Sequence, residues 1–413
     1  MAGMYEGVED LDDSASYGGE GATGLSNWRL RVEWEASQRD SGSTEQSWSL
    51  HYGNWLERML CAASLSSKSQ QLASIAPSTT ALTARAHLDR IPYANVVHGD
   101  DSDTSLYRTL HAIFQHGAVL VTQTDPPNDN GEDDSSPVAQ LGRRLSGGGL
   151  SHGYLYDPVF HVRTVPNANN IAYTPVALPP HQDLAYYESP PGLQLLHCIK
   201  NDTGGSRKSG ASTLIDGIQA AETFRSIAPD LFDVLTQIPV TFMKQREEAD
   251  MVYRRPHIRL GGGDGSSIVS VHWSPPFEGP LVLDPSGEAA STTMMREYYT
   301  AYAAFTRLVD ASQPRNERLL SQLSSGLEQQ LCDYAHAMTW EYVLEPGTTL
   351  VFNNLRMLHG RTALQSGASS RHLMGCYTNI DESLSQYRRL RRLRQTQGAV
   401  IPMVGNGSDA LVL

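Results

Sequence analysis

Residues 173–198 read YTPVALPPHQDLAYYESPPGLQLLHC, and the centre of this stretch is His181-Gln182-Asp183. In an extended segment, side chains at positions i and i+2 leave the same face, so His181 and Asp183 can point at one spot. Two histidines and one carboxylate around a redox metal with open positions are typical of non-haem Fe(II) oxygenases. A His-x-Asp pair alone is a weak signal, because polar residues often end strands without binding a metal. A metal site therefore requires a second, distant histidine.

That second histidine is predicted at His359, near the end of the strand-like run LVFNNLRMLHG at residues 350–360. His359 follows His181 by 178 residues, a separation typical of ligands from opposite ends of a barrel. Arg371 lies twelve residues further on, and a hairpin about residues 364–370 would return it to the end that His359 lines. A guanidinium binds a carboxylate in a planar, bidentate way. Arg371 is therefore a candidate to bind the far carboxylate of a metal-chelating 2-oxo acid.

Short strand-like runs bounded by Gly and Pro, with helical stretches inserted among them, make up most of the chain. Apolar residues at helical spacing predict a helix at 105–117 that stops at Gly117, and the run AVLVTQ at 118–123 predicts a buried strand. The glycine-rich segment 261–267 lies between two strand-like runs, so it fits a hairpin better than a phosphate-binding turn. This pattern favours a mainly β fold with helical insertions, built on a double-stranded β-helix (jelly-roll) core, over a doubly wound sheet.

The charge balance excludes some classes of function. The 413 residues include 45 acids and 32 bases, a net charge of −13, which argues against binding nucleic acid or an anionic membrane. The four cysteines form no CxxC pair, so neither a disulfide framework nor a zinc knuckle is indicated. No apolar run approaches the roughly 18 residues that span a membrane, and the N-terminus lacks the basic region of a secretory signal. We therefore expect a cytoplasmic protein.

Three segments are predicted along the chain. Residues 1–24 are acidic and have little to bury, so they are predicted to form a disordered tail. Residues 25–82 are predicted to form a small N-terminal α+β module and a linker, and alternation in LRVEWEA at 30–36 predicts a strand there. Residues 83–413 are predicted to form the double-stranded β-helix domain.

Three runs of the sequence resemble a known family. They are ANNIAYTPVALPPHQDLAYYESPPGLQLLHCIK at 168–200, TGG…LIDG at 203–217, and LVFNNLRMLHGRTALQSGASSRHLMGCYTNIDE at 350–382. These runs look like the γ-butyrobetaine dioxygenase and trimethyllysine dioxygenase group of the taurine-dioxygenase-like Fe(II)/2-oxoglutarate oxygenases. The resemblance extends from about residue 90 to about residue 395, and the ordered combination His-x-Asp…His-Gly-Arg…Arg-His-Leu is specific.

The resemblance implies a role for individual residues. His181, Asp183 and His359 would bind Fe(II), and Arg371 would bind the distal carboxylate of 2-oxoglutarate. Thr213 is a weaker candidate for the same co-substrate, because a threonine there is common in the wider superfamily but not in the closest group. The group also has an aromatic cage that holds a quaternary ammonium by cation–π interactions, and a polar residue near the substrate carboxylate. The cage matches Tyr156, Phe160, Tyr173 and Tyr377, and the polar residue matches Asn170.

The chain also departs from the family. The cysteine cluster of the family's N-terminal zinc module is absent, so no zinc is expected. The run Val-His-Trp-Ser at 271–274 replaces an Asn-rich run, and Trp273 is predicted to contact the substrate. Tyr186 follows the metal motif and either lines the site or packs beside it. These differences lie where the substrate's shape would be recognised, so the reaction class is better defined than the substrate.

Three functions remain open. The first is Fe(II)/2-oxoglutarate-dependent oxidation of an unactivated C–H bond in a small amine or amino acid, as in γ-butyrobetaine hydroxylation, with O2 and with ascorbate as the reductant. The second is a relative from specialised metabolism that performs hydroxylation, desaturation or ring closure on a different amino acid. The third is a non-catalytic barrel that binds a small molecule. Single residues also have structural alternatives: an ion pair for Arg371 and core packing for each aromatic. The resemblance further implies a homodimer.

Overall fold

The computed structural model describes residues 29–34, 47–52, 83, 87–99, 101–126, 135–153, 155–163, 174–202, 209–261, 266–281, 292–313, 317–321, 323–364 and 371–394. The chain divides into two compact units, one formed by residues 1–77 with Leu413 and the other by residues 78–412. In the first unit, β1 (Arg29–Trp34) pairs antiparallel with β2 (Ser47–Tyr52). Alternation in LRVEWEA thus coincides with β1, while the predicted tail and linker lie outside the described residues.

The second unit is built on strands that form two large sheets and two hairpins. In chain order they are β3 (Arg90–Pro92), β4 (Ala118–Thr122), β5 (Val159–Arg163), β6 (Leu178–His181), β7 (Leu193–Asn201), β8 (Ser212–Asp216), β9 (Pro239–Gln245), β10 (Asp250–Pro256), β11 (Ile258–Gly261), β12 (Ser267–Val271), β13 (Trp340–Tyr342), β14 (Thr349–Asn353), β15 (Met357–Arg361) and β16 (Arg371–Thr378). One sheet has the strand order β3-β4-β14-β7-β16-β5 and the other the order β13-β8-β15-β6. Apart from the parallel pair β3–β4, neighbouring strands in both sheets are antiparallel.

Helices cover the outer faces of the two sheets. They are α1 (Tyr93–Val97), α2 (Ser102–His116), α3 (Pro137–Ser146), α4 (Gly217–Ile227), α5 (Pro229–Gln237), α6 (Thr292–Val309), α7 (Glu317–Leu320), α8 (Ser325–Met338) and α9 (Ile380–Leu393). Buried side chains of α1, α2, α3 and α9 pack on the six-stranded sheet, and those of α4, α5, α6 and α8 pack on the four-stranded sheet. The predicted stop of α2 is confirmed, because Gly117 adopts a left-handed φ of 88° that favours glycine. None of the helices in the described part of the chain is long and apolar enough to cross a membrane.

The inner faces of the two sheets pack against each other through alternating apolar side chains. Leu196, Leu350 and Leu373 of the six-stranded sheet and Leu214 and Met357 of the four-stranded sheet belong to one buried cluster. Each fully buried side chain of this kind contributes roughly 1.5–3 kcal/mol relative to an exposed one. The chain therefore has a mainly β core between two helical layers, as the sequence pattern predicts.

The run 349–361 forms two strands in different sheets, although its apolar sequence predicts one continuous strand. The chain turns after β14, where the Asn353 side chain accepts a hydrogen bond from the N–H of Leu355 and its carbonyl accepts one from the N–H of Arg356. β15 and β16 also lie in different sheets, so the predicted hairpin about residues 364–370 is wrong. The turn-forming residues of this segment are compatible with a hairpin and with a connection between two sheets. The second holds because β15 pairs with β6 and β8, whereas β16 pairs with β7.

Candidate metal centre

Three polar side chains meet on the inner face of the four-stranded sheet. His181 ends β6 and lies directly across from His359 in β15, with their ring centroids 4.2 Å apart. Asp183 follows two residues after His181; its Oδ1 lies 3.4 Å from Nε2 of His181 and its Oδ2 3.8 Å from Nε2 of His359. One ligand atom from each residue lies within 4.8 Å of the others, which suits a single metal ion. The structure thus brings together the three residues that the sequence pattern predicts as ligands.

The protonation states of these residues also suit a metal. Burial and the neighbouring His181 lower the pKa of His359 to about 3, so its imidazole is neutral at pH 7 and keeps a lone pair. Nδ1 of His181 lies 2.9 Å from the carbonyl oxygen of Pro179, which can only accept, so Nδ1 carries the proton and Nε2 remains free as a ligand. Burial alone would raise the pKa of Asp183, but His359, His181 and Tyr377 together hold it below its usual range, so the carboxylate is ionised.

Asp183 is held by three side chains. Its Oδ2 accepts hydrogen bonds from Nε2 of Gln194 at 2.9 Å and from the hydroxyl of Tyr377 at 2.7 Å. The amide of Asn354 binds the Asp183 backbone, accepting from its N–H at 2.9 Å and donating to its carbonyl at 3.1 Å. Gln194 and Asn354 were missed by the sequence reasoning. The available signal was an amide side chain inside an otherwise apolar run, LQLL for Gln194 and LVFNNL for Asn354.

The segment containing Trp273 pairs with the metal-binding segment through its backbone. The N–H of Gln182 donates to the carbonyl of Trp273, the side-chain oxygen of Gln182 accepts from the N–H of Trp273, and Ser274 donates to the carbonyl of Gln182. The indole of Trp273 is only 1% exposed and packs 4.7 Å from Tyr302 and 4.8 Å from Phe305 in the core under the helices. Trp273 therefore supports the metal-binding segment, and its ring lies in the core under the helices.

Arg371 is the first residue of β16, and it lies on the same inner face as Leu373. Its side chain is 6% exposed, and its Nε has no hydrogen-bond partner among the described residues. Burial and the nearby charge of Arg361 lower the pKa of Arg371 to about 10, so it remains charged at pH 7. Arg361 lies two residues after His359 on the same face of β15. Because a buried charge is costly unless it is paired, a buried guanidinium in this position favours binding of an anion such as a carboxylate.

Thr213 lies on the opposite face of the four-stranded sheet from the metal ligands. Leu214 is paired with His359 and belongs to the cluster between the sheets, so the preceding residue points outward. Thr213 is paired with Gly360, where an added Cβ would lie 2.9 Å from its hydroxyl. It lines a cavity of 440 Å³ with residues that include Pro180 and Arg361. Its contact with the co-substrate stays a prediction.

Three of the four predicted cage residues lie together beside Asp183. The ring centroid of Tyr377 is 4.9 Å from that of Phe160 in a stacked arrangement and 5.2 Å from that of Tyr156 in an edge-on one. Both distances are ordinary for packed aromatic pairs. Because the Tyr377 hydroxyl also binds Asp183, this cluster adjoins the metal centre directly.

Tyr186, the remaining predicted aromatic residue among the described ones, lies near the same centre. Tyr186 is 4% exposed, its ring packs 5.1 Å from that of Phe277, and burial together with the charge of Asp183 raises its pKa. Tyr173 and Asn170 lie outside the described residues. Two histidines, one carboxylate and a nearby buried guanidinium can together bind a redox-active divalent metal and an anionic chelator.

The sequence matches a family model. Residues 75–377 match the model described as "Taurine catabolism dioxygenase TauD, TfdA family". The chain is similar to dioxygenase str8 of Strobilurus tenacellus, with 30% identity over 57% of this chain and 49% of that protein. It is 31% identical to the γ-butyrobetaine dioxygenase of Pseudomonas sp. (strain AK-1) over 57% of this chain and 51% of that protein. It is 26% identical to the mitochondrial trimethyllysine dioxygenase of Rattus norvegicus over 70% of this chain and 58% of that protein.

The match to each of these relatives is partial. The chain spans about half the length of the first two, with 49% and 51% of those proteins covered. Among solved structures, the chain is similar to a taurine dioxygenase from Burkholderia xenovorans, with a TM-score of 0.43 and 13% identity over 72% of this chain and 89% of that one.

Proposed function

Because the chain belongs to the taurine catabolism dioxygenase TauD, TfdA family, we propose that it is an Fe(II)- and 2-oxoglutarate-dependent dioxygenase. In this proposal the two packed sheets are the double-stranded β-helix of a domain that spans residues 83–413. One observation carries it: His181, Asp183 and His359 converge within 4.8 Å, and Nε of the buried Arg371, on the facing sheet, has no hydrogen-bond partner among the described residues. A metal chelated by a dicarboxylic 2-oxo acid needs both features.

Each of these residues has a defined task in the proposal. His181, Asp183 and His359 hold Fe(II), and Arg371 binds the distal carboxylate of 2-oxoglutarate. When bound, iron with 2-oxoglutarate and O2 supplies the oxidising power to attack an unactivated C–H bond, and ascorbate keeps the metal reduced. The protein contributes two imidazole side chains, an ionised carboxylate and a water-excluding space between two sheets, in which charged contacts are strengthened.

We propose a small amine or amino acid as the substrate. The cluster of Tyr156, Phe160 and Tyr377 supports this class, because a cation–π interaction with one ring face contributes roughly 0.5–2 kcal/mol to the binding of a cation. The chain's net charge of −13 favours the approach of a cation. The relatives named for γ-butyrobetaine and trimethyllysine support a substrate with a substituted ammonium group. Contacts from Tyr173 and Asn170 remain part of this proposal.

A second candidate is a relative that hydroxylates, desaturates or closes a ring on a different amino acid. It is supported by the segment that replaces the Asn-rich run of the family. His272 is 6% exposed and bound to Ser270, and the Trp273 ring is buried under the helices. This segment therefore offers no side-chain amide to a substrate carboxylate, which favours a substrate different from γ-butyrobetaine.

Succinate release distinguishes these functions. The purified full-length protein would be incubated in air with Fe(II), ascorbate and 2-oxoglutarate, alone or with γ-butyrobetaine, trimethyllysine or a panel of amines and amino acids. We expect at least one of these compounds to accelerate succinate formation, and the Asp183→Ala variant to form none. A clear preference for γ-butyrobetaine supports the first candidate, and a preference for another compound supports the second. Absence of succinate under every condition would contradict both and favour a non-catalytic barrel.

A further inference from the structure

The two carboxylate oxygens of Asp183 have different surroundings. Oδ2 already accepts two hydrogen bonds, from Gln194 at 2.9 Å and from Tyr377 at 2.7 Å. Oδ1 faces Nε2 of His181 at 3.4 Å, which is the atom that His181 offers to a metal. Oδ2 is thus bound by two donors of the protein and also lies 3.8 Å from Nε2 of His359, while Oδ1 lies closer to a ligand atom, Nε2 of His181.

The two donors act from the opposite sheet. Gln194 in β7 and Tyr377 in β16 are direct cross-strand partners in the six-stranded sheet, and both are buried, at 2% and 5% exposure. His181 and His359 belong to the four-stranded sheet. Cross-strand partners have Cβ atoms about 4.5–5.5 Å apart, so one pair can reach a single oxygen from two directions. Asp183 therefore receives its orientation across the space between the sheets.

We propose that Gln194 and Tyr377 are positioning residues that make Asp183 a one-oxygen ligand: they hold Oδ2 and leave Oδ1 to bind the metal. This inference rests on the proposed function in that the site holds Fe(II). For Asp183 to bind through both oxygens, Oδ2 would have to lose two hydrogen bonds to a charged acceptor, which are among the stronger ones in proteins. Oδ2 would thereby be kept from binding the metal. Groups that orient metal ligands in this way typically change metal affinity 10- to 100-fold when removed.

Tyr377 also connects this arrangement to the aromatic cluster. Its ring stacks on Phe160 and contacts Tyr156, while its hydroxyl binds Asp183. A molecule that displaces the ring would also disturb the hydrogen bond to Oδ2. Tyr377 is therefore the residue through which the occupied cluster can influence the metal ligand.

Metal binding tests the inference without turnover. Co(II), as a stand-in for Fe(II), would be titrated into the full-length protein and into its Tyr377→Phe and Gln194→Leu variants. The heat of binding and the visible absorption spectrum would be recorded. We expect each variant to raise the Co(II) Kd about 10-fold or more and to alter the visible spectrum, which reports the coordination geometry.

Tyr387→Phe is the matched control, because it also removes a buried phenol hydroxyl, one that lies 3.0 Å from His111 on the outer side of the six-stranded sheet. Its Kd and spectrum should equal those of the wild type. A Co(II) Kd within about twofold of wild type in both Tyr377→Phe and Gln194→Leu, with unchanged spectra, would overturn the inference even if their melting temperatures fall. If the wild type binds no Co(II) or Fe(II), the proposed function fails and this inference with it.

Discussion

The guanidinium of Arg356 donates from Nε and Nη2 to the same oxygen of Asp216, at 3.0 and 2.6 Å, and each side chain is only 2% exposed. Asp216 also caps α4 by accepting from the N–H of Ile218, and Arg356 donates to the carbonyl of Phe114 near the end of α2. One ion pair therefore ties the strands of the metal centre to helices on both sides of the β core.

Arg356→Met should lower the free energy of unfolding by about 3–5 kcal/mol, because it leaves Asp216 as a buried charge without its partner. Urea denaturation followed by circular dichroism measures this loss. Arg225→Met is the control: its ion pair with Glu222 is 38% exposed on each side, and its loss should cost no more than about 1 kcal/mol. Equal losses in the two variants would contradict a special role for the buried pair.

Arg371→Lys should raise the KM for 2-oxoglutarate about 10- to 100-fold, because a lysine keeps the charge but loses the planar, two-point contact. Arg371→Gln should raise it further. Initial rates of succinate formation at varied 2-oxoglutarate give this constant, and the KM for the amine substrate should change little. An unchanged KM for 2-oxoglutarate in both variants would assign Arg371 to structure instead.

His359→Ala should abolish stable iron binding, since two ligands from one short segment remain and the opposite strand supplies none. The measurement is the iron retained per chain after anaerobic loading and desalting. His336→Ala, at an exposed position on α8, should retain iron as the wild type does. Iron retained in His359→Ala at the wild-type level would remove His359 from the ligand set.

The stability of the fold should fall as the pH drops below 6.5. His257 is fully buried between the carbonyl of His272 and the hydroxyl of Tyr298, and burial lowers its pKa to about 4. The unfolded chain has an ordinary pKa near 6.5, so between pH 6.5 and 4 it binds a proton that the folded state does not. The contribution of neutral His257 to the free energy of unfolding is therefore complete above pH 6.5 and is lost as the pH falls to 4. The loss amounts to about 3 kcal/mol in total.

His257→Gln isolates this contribution. Urea denaturation at several pH values between 7 and 4 should show a pH dependence about 3 kcal/mol smaller in the variant than in the wild type, because the other titrating groups are shared. Parallel curves for the two proteins would mean that His257 does not titrate as its burial implies.

Local geometry made the proximity of His181 and Asp183 predictable. His181 and Asp183 are two residues apart in sequence, so the geometry of an extended chain puts them together without further information. The stop of α2 at Gly117 is equally local, because it needs only a residue that accepts a positive φ.

Tertiary partners decided what could not be predicted. Asn354, in the turn between β14 and β15, binds Asp183 and the carbonyl of Pro191, residues more than 160 positions away. Gln194 lies in an otherwise apolar run, and only the packing of the two sheets reveals that its amide holds Asp183. The outward direction of Thr213 likewise follows from the register of β8 against β15, which no local pattern encodes.

β15 and β16 belong to different sheets, so His359 and Arg371 stand on opposite walls of one space. The apolar side chains packed between these walls, Phe352 and Leu214 among them, set how far apart the walls lie. If the site works as proposed, the length of diacid that can extend from the metal ligands to Arg371 is a property of core packing. Selectivity between 2-oxoglutarate and its one-carbon-longer homologue should shift when Phe352 is made smaller, although Phe352 has no polar group to offer either molecule.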